Sequence, residues 1–203
     1  AVTNLEALVT AGGITDDGAD VLRTSVGARM NLLVAGGTGA GKTTLLNVLS
    51  KEIDPSERTV TVEDAAELRL DGHVVRLEAR PPNPEGAGEI KLRALLRHAL
   101  RLRPDRIVVG EVRGPEALDM IQAMSTGHDG SMSTIHANGP EEALWRLESL
   151  AGTADASASA DTLRRQIRSA VDRVVFVARR PVARVVVSIS DVGPDGVEEI
   201  YSC

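Results

Sequence analysis

The first 27 residues place apolar side chains at helical spacing, Leu5, Leu8 and Val9 and then Val21, Leu22 and Val26, and so predict two helices broken at Gly12-Gly13. The apolar run Asn31-Leu32-Leu33-Val34-Ala35 follows and reads as a buried strand. From there the pattern alternates: helix 42–52, strand 58–63, strand 73–79, helix 89–102, strand 106–110, helix 114–126, strand 131–135 and helix 139–150. Alternation of this kind predicts an α/β domain with a mostly parallel sheet. The stretch Arg80-Pro81-Pro82-Asn83-Pro84-Glu85-Gly86-Ala87-Gly88 holds prolines and glycines that break helix and central strand alike, so it is a loop. A low-complexity stretch, 153–160, reads as a linker before a helix over 161–173. Strands Val174–Ala178, Val182–Ser190 and Val197–Tyr201 complete the chain, the last pair closed by a Pro194-Asp195-Gly196 turn. The expected organisation is a core over 1–152, with lead-in helices in 1–28, and a small C-terminal helix and strand subregion over 153–203.

Composition narrows this picture. The 203 residues are 42% hydrophobic, enough for a sizeable core, yet only Trp145, Phe176 and Tyr201 are aromatic. That core must be built from Leu, Val, Ile and Ala, as layered α/β folds commonly are. A net charge of -6 argues against broad electrostatic attachment to nucleic acid. The single cysteine, Cys203, cannot form an internal disulfide, which fits a reducing compartment. No apolar run approaches membrane-spanning length. The chain begins at Ala1 rather than Met, and the expectation is a piece of a longer protein.

The chemistry starts at Gly36-Gly37-Thr38-Gly39-Ala40-Gly41-Lys42-Thr43-Thr44, which fills every position of the pattern G-x-x-x-x-G-K-[ST]. Glycine lets the backbone turn successive N–H groups onto phosphate oxygens; the Lys42 ammonium reaches the β- and γ-phosphates, and the Thr43 hydroxyl ligates Mg²⁺. The loop lies between a strand and a helix, so the helix start adds its positive dipole to the phosphate site. This is a nucleotide-binding chain.

In a parallel sheet, ligands bind off the carboxyl ends of the strands. One strand ends in Glu63-Asp64 and another in Gly110-Glu111. Hydrolysis of a γ-phosphate needs a carboxylate that orients or deprotonates water and another group that helps hold Mg²⁺, and the two glutamates fit those roles. Each could instead cap a helix or pair with an arginine. Where an Mg²⁺-ligating Asp usually ends the strand, Gly110 stands, so Glu111 must act alone or through water. Thr43, waters and the phosphates then hold most of the metal shell. A third end carries His136, which could donate to the γ-phosphate or be structural; His128 lies in a Gly-flanked loop before it.

These residues resemble the secretion ATPases of type II and type IV secretion systems and type IV pili, and among them the tight-adherence pilus assembly branch. Gly36 to Thr44 corresponds to the Walker A motif, Thr61-Val62-Glu63-Asp64 to the Asp box, Ile107 to Gly114 to the atypical Walker B, and Gly127-His128 through Ser133-Thr134-Ile135-His136-Ala137-Asn138 to the His box. The resemblance implies a RecA-like P-loop NTPase domain that binds ATP and Mg²⁺, with Glu63 and Glu111 catalytic beside Lys42, and His136 near the nucleotide. It also implies a homo-hexameric ring, cytoplasmic and peripheral to the inner membrane, working on an inner-membrane platform protein without direct nucleic-acid binding. An N-terminal domain, expected to lie outside this chain, would contribute arginines to the phosphates, leaving the piece on its own monomeric.

Arg93, Arg97 and Arg101 share one face of the predicted helix, open to three readings: a solvated face, a subunit contact or a nucleic-acid contact. Arg80, at the mouth of the Pro-rich loop, and Arg113, two residues after Glu111, are better placed to sense phosphate. Three functions compete. An ATP-hydrolysing motor subunit leads; a nucleotide switch or scaffold with negligible turnover is countered by the two glutamates; a transporter-type ATPase lacks its Leu-Ser-Gly-Gly-Gln signature, and a small-molecule kinase lacks a readable acceptor pocket.

Overall fold

The computed structural model describes residues 2–180 and 184–203. Helices α1 (Leu5–Thr10) and α2 (Asp16–Gly27) each start on a side-chain cap, with Asn4 accepting from the Ala7 amide and Thr15 from the Gly18 amide. Such caps satisfy N–H groups that a first turn leaves without a helical partner. There follow β1 (Leu32–Gly36), α3 (Lys42–Leu49), β2 (Thr59–Glu63), β3 (Val74–Glu78), α4 (Leu92–Ala99), β4 (Arg106–Val112), α5 (Glu116–Ser125), β5 (Met132–Ile135) and α6 (Pro140–Gly152). The chain continues through α7 (Ala160–Ala170), β6 (Arg173–Arg179), β7 (Arg184–Gly193) and β8 (Gly196–Ser202).

The eight strands among the described residues form one sheet in the order β3-β2-β4-β5-β1-β6-β7-β8. Pairs from β3 to β6 are parallel, whereas β7 and β8 run antiparallel to their neighbours. The C-terminal strands therefore add to the core sheet through β6, which pairs with β1. β1 and β2 are buried at every position, as strands covered on both faces must be. Leu33, Ala35, Val60 and Val62 face one core with Leu96, Met120, Leu147 and Ile167 of α4 to α7. Leu32 and Val34 face the other with Leu22, Leu46 and Leu49 of α2 and α3. Leu68 and Leu70, from the irregular segment after β2, join this second core.

Several boundaries depart from the sequence pattern, three of them for a reason visible in the hydrogen bonding or pairing. The helix expected from 89 begins only at Leu92, because Ile90 is held extended by two backbone hydrogen bonds with Arg80 of 3.0 and 2.8 Å. The strand expected to end at 110 runs on to Val112 through an irregularity after Val109, so Gly110 and Glu111 sit within β4. The helix expected to reach 173 stops at Ala170, since the Asp172 and Arg173 amides donate to the Asn31 carbonyl and open β6. Val182, the expected start of the long strand, lies outside the described residues; β7 is seen from Arg184.

The basic face of α4 is used within the chain. Arg93 and Arg97 donate to the two carboxylate oxygens of buried Asp119 on α5, at 2.6 and 2.7 Å.

Candidate functional site

Between β1 and α3 the backbone turns through Gly41 at φ +105°, a left-handed conformation open to glycine and strained for other residues. Gly36 is constrained by space instead, since a Cβ there would lie 2.5 Å from the Val177 carbonyl oxygen of β6. The turn delivers the first amides of α3 to a cavity of about 660 Å³. Thr38, Gly39, Gly41, Lys42, Thr43 and Thr44 form one wall. Glu111 from β4, Arg113 just after it, His136 after β5, and Glu67, Arg146 and Arg184 complete it.

The Lys42 Nζ donates to the Gly36 and Gly37 carbonyls at 3.0 and 3.1 Å and lies 3.8 Å from Glu111 Oε1. Burial holds its pKa below the ordinary lysine value; Glu111 opposes that shift and Arg113 adds to it. Glu111 is also bound by Arg113, whose Nε donates to Oε2 at 2.9 Å with a second bond from Nη2. Those hydrogen bonds raise the Arg113 guanidinium above its ordinary value. The bulge that carries Glu111 is fastened to β5, where the Thr134 hydroxyl donates to the Gly110 carbonyl at 2.7 Å.

Glu63 is buried, and its Oε1 accepts from the Glu67 and Leu68 amides at 2.9 and 2.8 Å. With Thr43, Glu67 and Glu111 it borders a smaller cavity of about 120 Å³. Gly110 makes room for it, because a Cβ at 110 would lie 3.1 Å from Glu63 Cγ. Held in this way, the chain after β2 brings Glu67 beside Thr43, whose hydroxyl donates to Glu67 Oε2 at 3.3 Å. Two further ties fix that segment: burial of Leu68 and Leu70, and a 2.7 Å bond from the Arg69 amide to Asn47 Oδ1 on α3.

The cavity thus brings together Thr38 to Thr44 apart from buried Ala40, with Glu111, Arg113 and His136. Arg80 is placed elsewhere: its Nε donates to the Gly88 carbonyl at 2.7 Å, and it lines a separate cleft with Asp64, Lys91 and the other side of Arg113. His128 lies 3.3 Å from the Ala123 carbonyl at the end of α5, outside the cavity wall. Sequence reasoning missed Glu67, Arg146 and Arg184. The alternation Glu67-Leu68-Arg69-Leu70 could have shown that the segment returns to the core; nothing local marks the two arginines.

Among the described residues no three His, Cys, Asp or Glu side chains converge as a ready-made metal cage. The Thr43 hydroxyl with the Glu67 carboxylate beside it suits Mg²⁺, which takes one or two protein ligands and keeps waters and substrate phosphates for the rest.

A family model described as type II/IV secretion system protein matches residues 2–189. The chain belongs to this family. It is 48% identical over 180 residues to a Mycobacterium tuberculosis protein named for conjugal transfer, covering 88% of this chain and 51% of that protein. The type IV secretion system protein PtlH of Bordetella pertussis is 46% identical over 166 residues, 79% of this chain and 49% of that protein. The VirB11 ATPase of the Brucella suis type IV secretion system, solved with sulphate, shares the fold with a TM-score of 0.74 at 33% identity, over 98% of this chain and 54% of that one. The α/β fold with its mostly parallel sheet is thus that of a secretion ATPase. The chain spans about half the length of these relatives, and no described helix is long and apolar enough to cross a membrane.

Proposed function

We propose that this chain is the ATP-hydrolysing part of a motor subunit in a bacterial secretion or pilus-assembly machine. The supporting observation is the convergence of Lys42, the Thr43–Glu67 pair and Glu111 on one cavity at the start of α3. A triphosphate laid across the α3 amides takes over the Lys42 ammonium from the Gly36 and Gly37 carbonyls and satisfies a cation that burial alone disfavours. Thr43 and Glu67 are the residues that would hold Mg²⁺, and the ion would supply positive charge against the developing phosphate charge. Glu111 orients the attacking water and accepts its proton once Arg113 turns from the carboxylate to the phosphates. Glu63 supports Glu67 through the backbone it binds, and His136 and Arg146 face the far end of the phosphate chain. In the whole protein, a homo-hexamer at an inner-membrane platform protein on the cytoplasmic side completes the site from neighbouring subunits and turns closure and opening into movement.

The test is steady-state phosphate release by the full-length protein beside Lys42→Ala and Glu111→Gln. Both variants are expected to lose on the order of 100-fold or more in turnover, with Glu111→Gln still binding ATP. Wild-type turnover no faster than that of Glu111→Gln overturns the motor reading in favour of a nucleotide switch.

A further inference from the structure

β4 ends at Val112, which pairs with Ile135 of β5, and the chain then turns through Arg113, Gly114 and Pro115 into α5. A strand that stops leaves the next amides without a ladder partner. One side chain takes both: Glu116 Oε1 accepts from the Arg113 amide at 2.8 Å and from the Gly114 amide at 2.7 Å. Glu116 is 6% exposed, and a buried carboxylate needs donors of this kind because an unpaired charge away from water is costly. It is also the first residue of α5, where the helix dipole favours negative charge. That helix is firmly seated. Ala117, Met120 and Ile121 lie in the core, and Asp119 ties it to Arg93 and Arg97 of α4. The turn after β4 is therefore clamped to a fixed body.

We propose that Glu116 is a positioning residue for hydrolysis: by fixing the Arg113 backbone it sets the Arg113 guanidinium against Glu111, and through it the orientation of that carboxylate. The proposal rests on the reading of Glu111 as the group that orients the attacking water. Glu116 does not line the phosphate cavity; it borders the cleft on the other side of Arg113, with Asp64, Arg80 and Lys91. Its effect must pass through Arg113. The Arg113 side chain is 66% exposed, and among the described residues its hydrogen-bonded partner is Glu111, with Asp64 4.0 Å from Nη1. An exposed arginine on a free loop gives up too much side-chain freedom for such a pair to persist. With its backbone held, less freedom is lost. The pair occupies Glu111 Oε2 and leaves Oε1 turned toward Lys42, 3.8 Å from Nζ. A carboxylate so placed meets a water at the terminal phosphate in one orientation, and small misplacements of a reacting group carry large losses in rate.

The experiment measures ATP turnover and ATP affinity of the full-length protein beside Glu116→Ala, Glu116→Gln, Arg113→Ala and the double variant Glu116→Ala with Arg113→Ala. Glu116→Ala is expected to lose at least about tenfold in turnover and less than about twofold in ATP affinity, because Lys42 and the α3 amides are untouched. Amide exchange at Arg113 and Gly114 should quicken in the same variant. Glu116→Gln keeps a carbonyl oxygen for both amides, and is expected to restore most of the turnover and the protection. The double variant decides. If Glu116 works through Arg113, Glu116→Ala costs little further turnover once Arg113→Ala is present, whereas a general loss of stability costs the same factor in either background. Losses that multiply overturn the proposal, as does Glu116→Ala with wild-type turnover, or Glu116→Gln as impaired as Glu116→Ala. Failure of the underlying reading looks different: Glu111→Gln then turns over as fast as wild type, whatever the Glu116 variants do.

Discussion

Gly110 stands where the Glu63 side chain passes. A methyl group at that position has to displace the Glu63 stem, and overpacking of this kind costs about 1–3 kcal/mol. Gly110→Ala is expected to lower the denaturation midpoint accordingly and to reduce turnover, because the displaced carboxylate no longer holds the Glu67 and Leu68 amides. Glu63 and Glu67 are separable by experiment. Glu63→Ala should speed hydrogen exchange at the Glu67 and Leu68 amides as well as abolish turnover; Glu67→Gln should lose turnover with those amides as protected as before. If Glu63→Ala leaves both amides protected, Glu63 does not work through the backbone. At this scale the sequence singled out Lys42, Thr43 and Glu111 because they stand in or beside contiguous motifs, and the fold brings all three to one cavity. It was silent on Glu67, which meets Thr43 because Glu63 and Asn47 of α3 hold the backbone on either side of it.

The element that decides the Thr43–Glu67 contact is the stretch between β2 and β3. It has no regular secondary structure, yet Leu68 and Leu70 are buried in the core between the sheet and α3. Leu70→Ala is expected to cost about 2–5 kcal/mol, as core leucine truncations do, and to weaken Mg-ATP binding relative to metal-free ATP by loosening Glu67. Calorimetric titration with and without Mg²⁺ checks this; equal weakening in both conditions would show that the segment does not position the metal ligand. The same scale explains α4. From sequence its three arginines were open to a solvated face, a subunit contact or a nucleic-acid contact; Arg93 and Arg97 close on Asp119 of α5, and Arg101 lies beyond the α-helix in a 3₁₀ turn. Helical spacing identified the face, and the packing of α4 against α5 chose its partner. β4 was cut short in the sequence pattern because Gly110 breaks an apolar run, whereas pairing with β5 resumes at Val112.

At the scale of the molecule, six parallel strands bring their carboxyl ends to one edge, and the site is assembled there from both ends of the chain. Arg184 reaches Gly39 across 145 residues. Arg113 and Arg146 in the cavity wall are both exposed, and the proposed ring would set a neighbouring subunit against them. The relatives are about twice as long as this chain, and the chain alone is expected to sediment as a monomer with or without nucleotide at high protein concentration. A stable hexamer of the chain alone without nucleotide would falsify the expectation that further segments complete the subunit junction.

By itself the sequence determined the α/β class, the phosphate-binding loop and the strands that flank it, because apolar periodicity and a contiguous glycine-lysine-threonine motif are local signals. Tertiary structure alone decided that Glu63 accepts from the Glu67 and Leu68 amides, that Glu67 joins Thr43, that Arg80 lies apart and that Arg184 crosses the loop. Those outcomes depend on which distant side chains compete for the same space and the same hydrogen bonds, and that competition exists only once the sheet has brought them together.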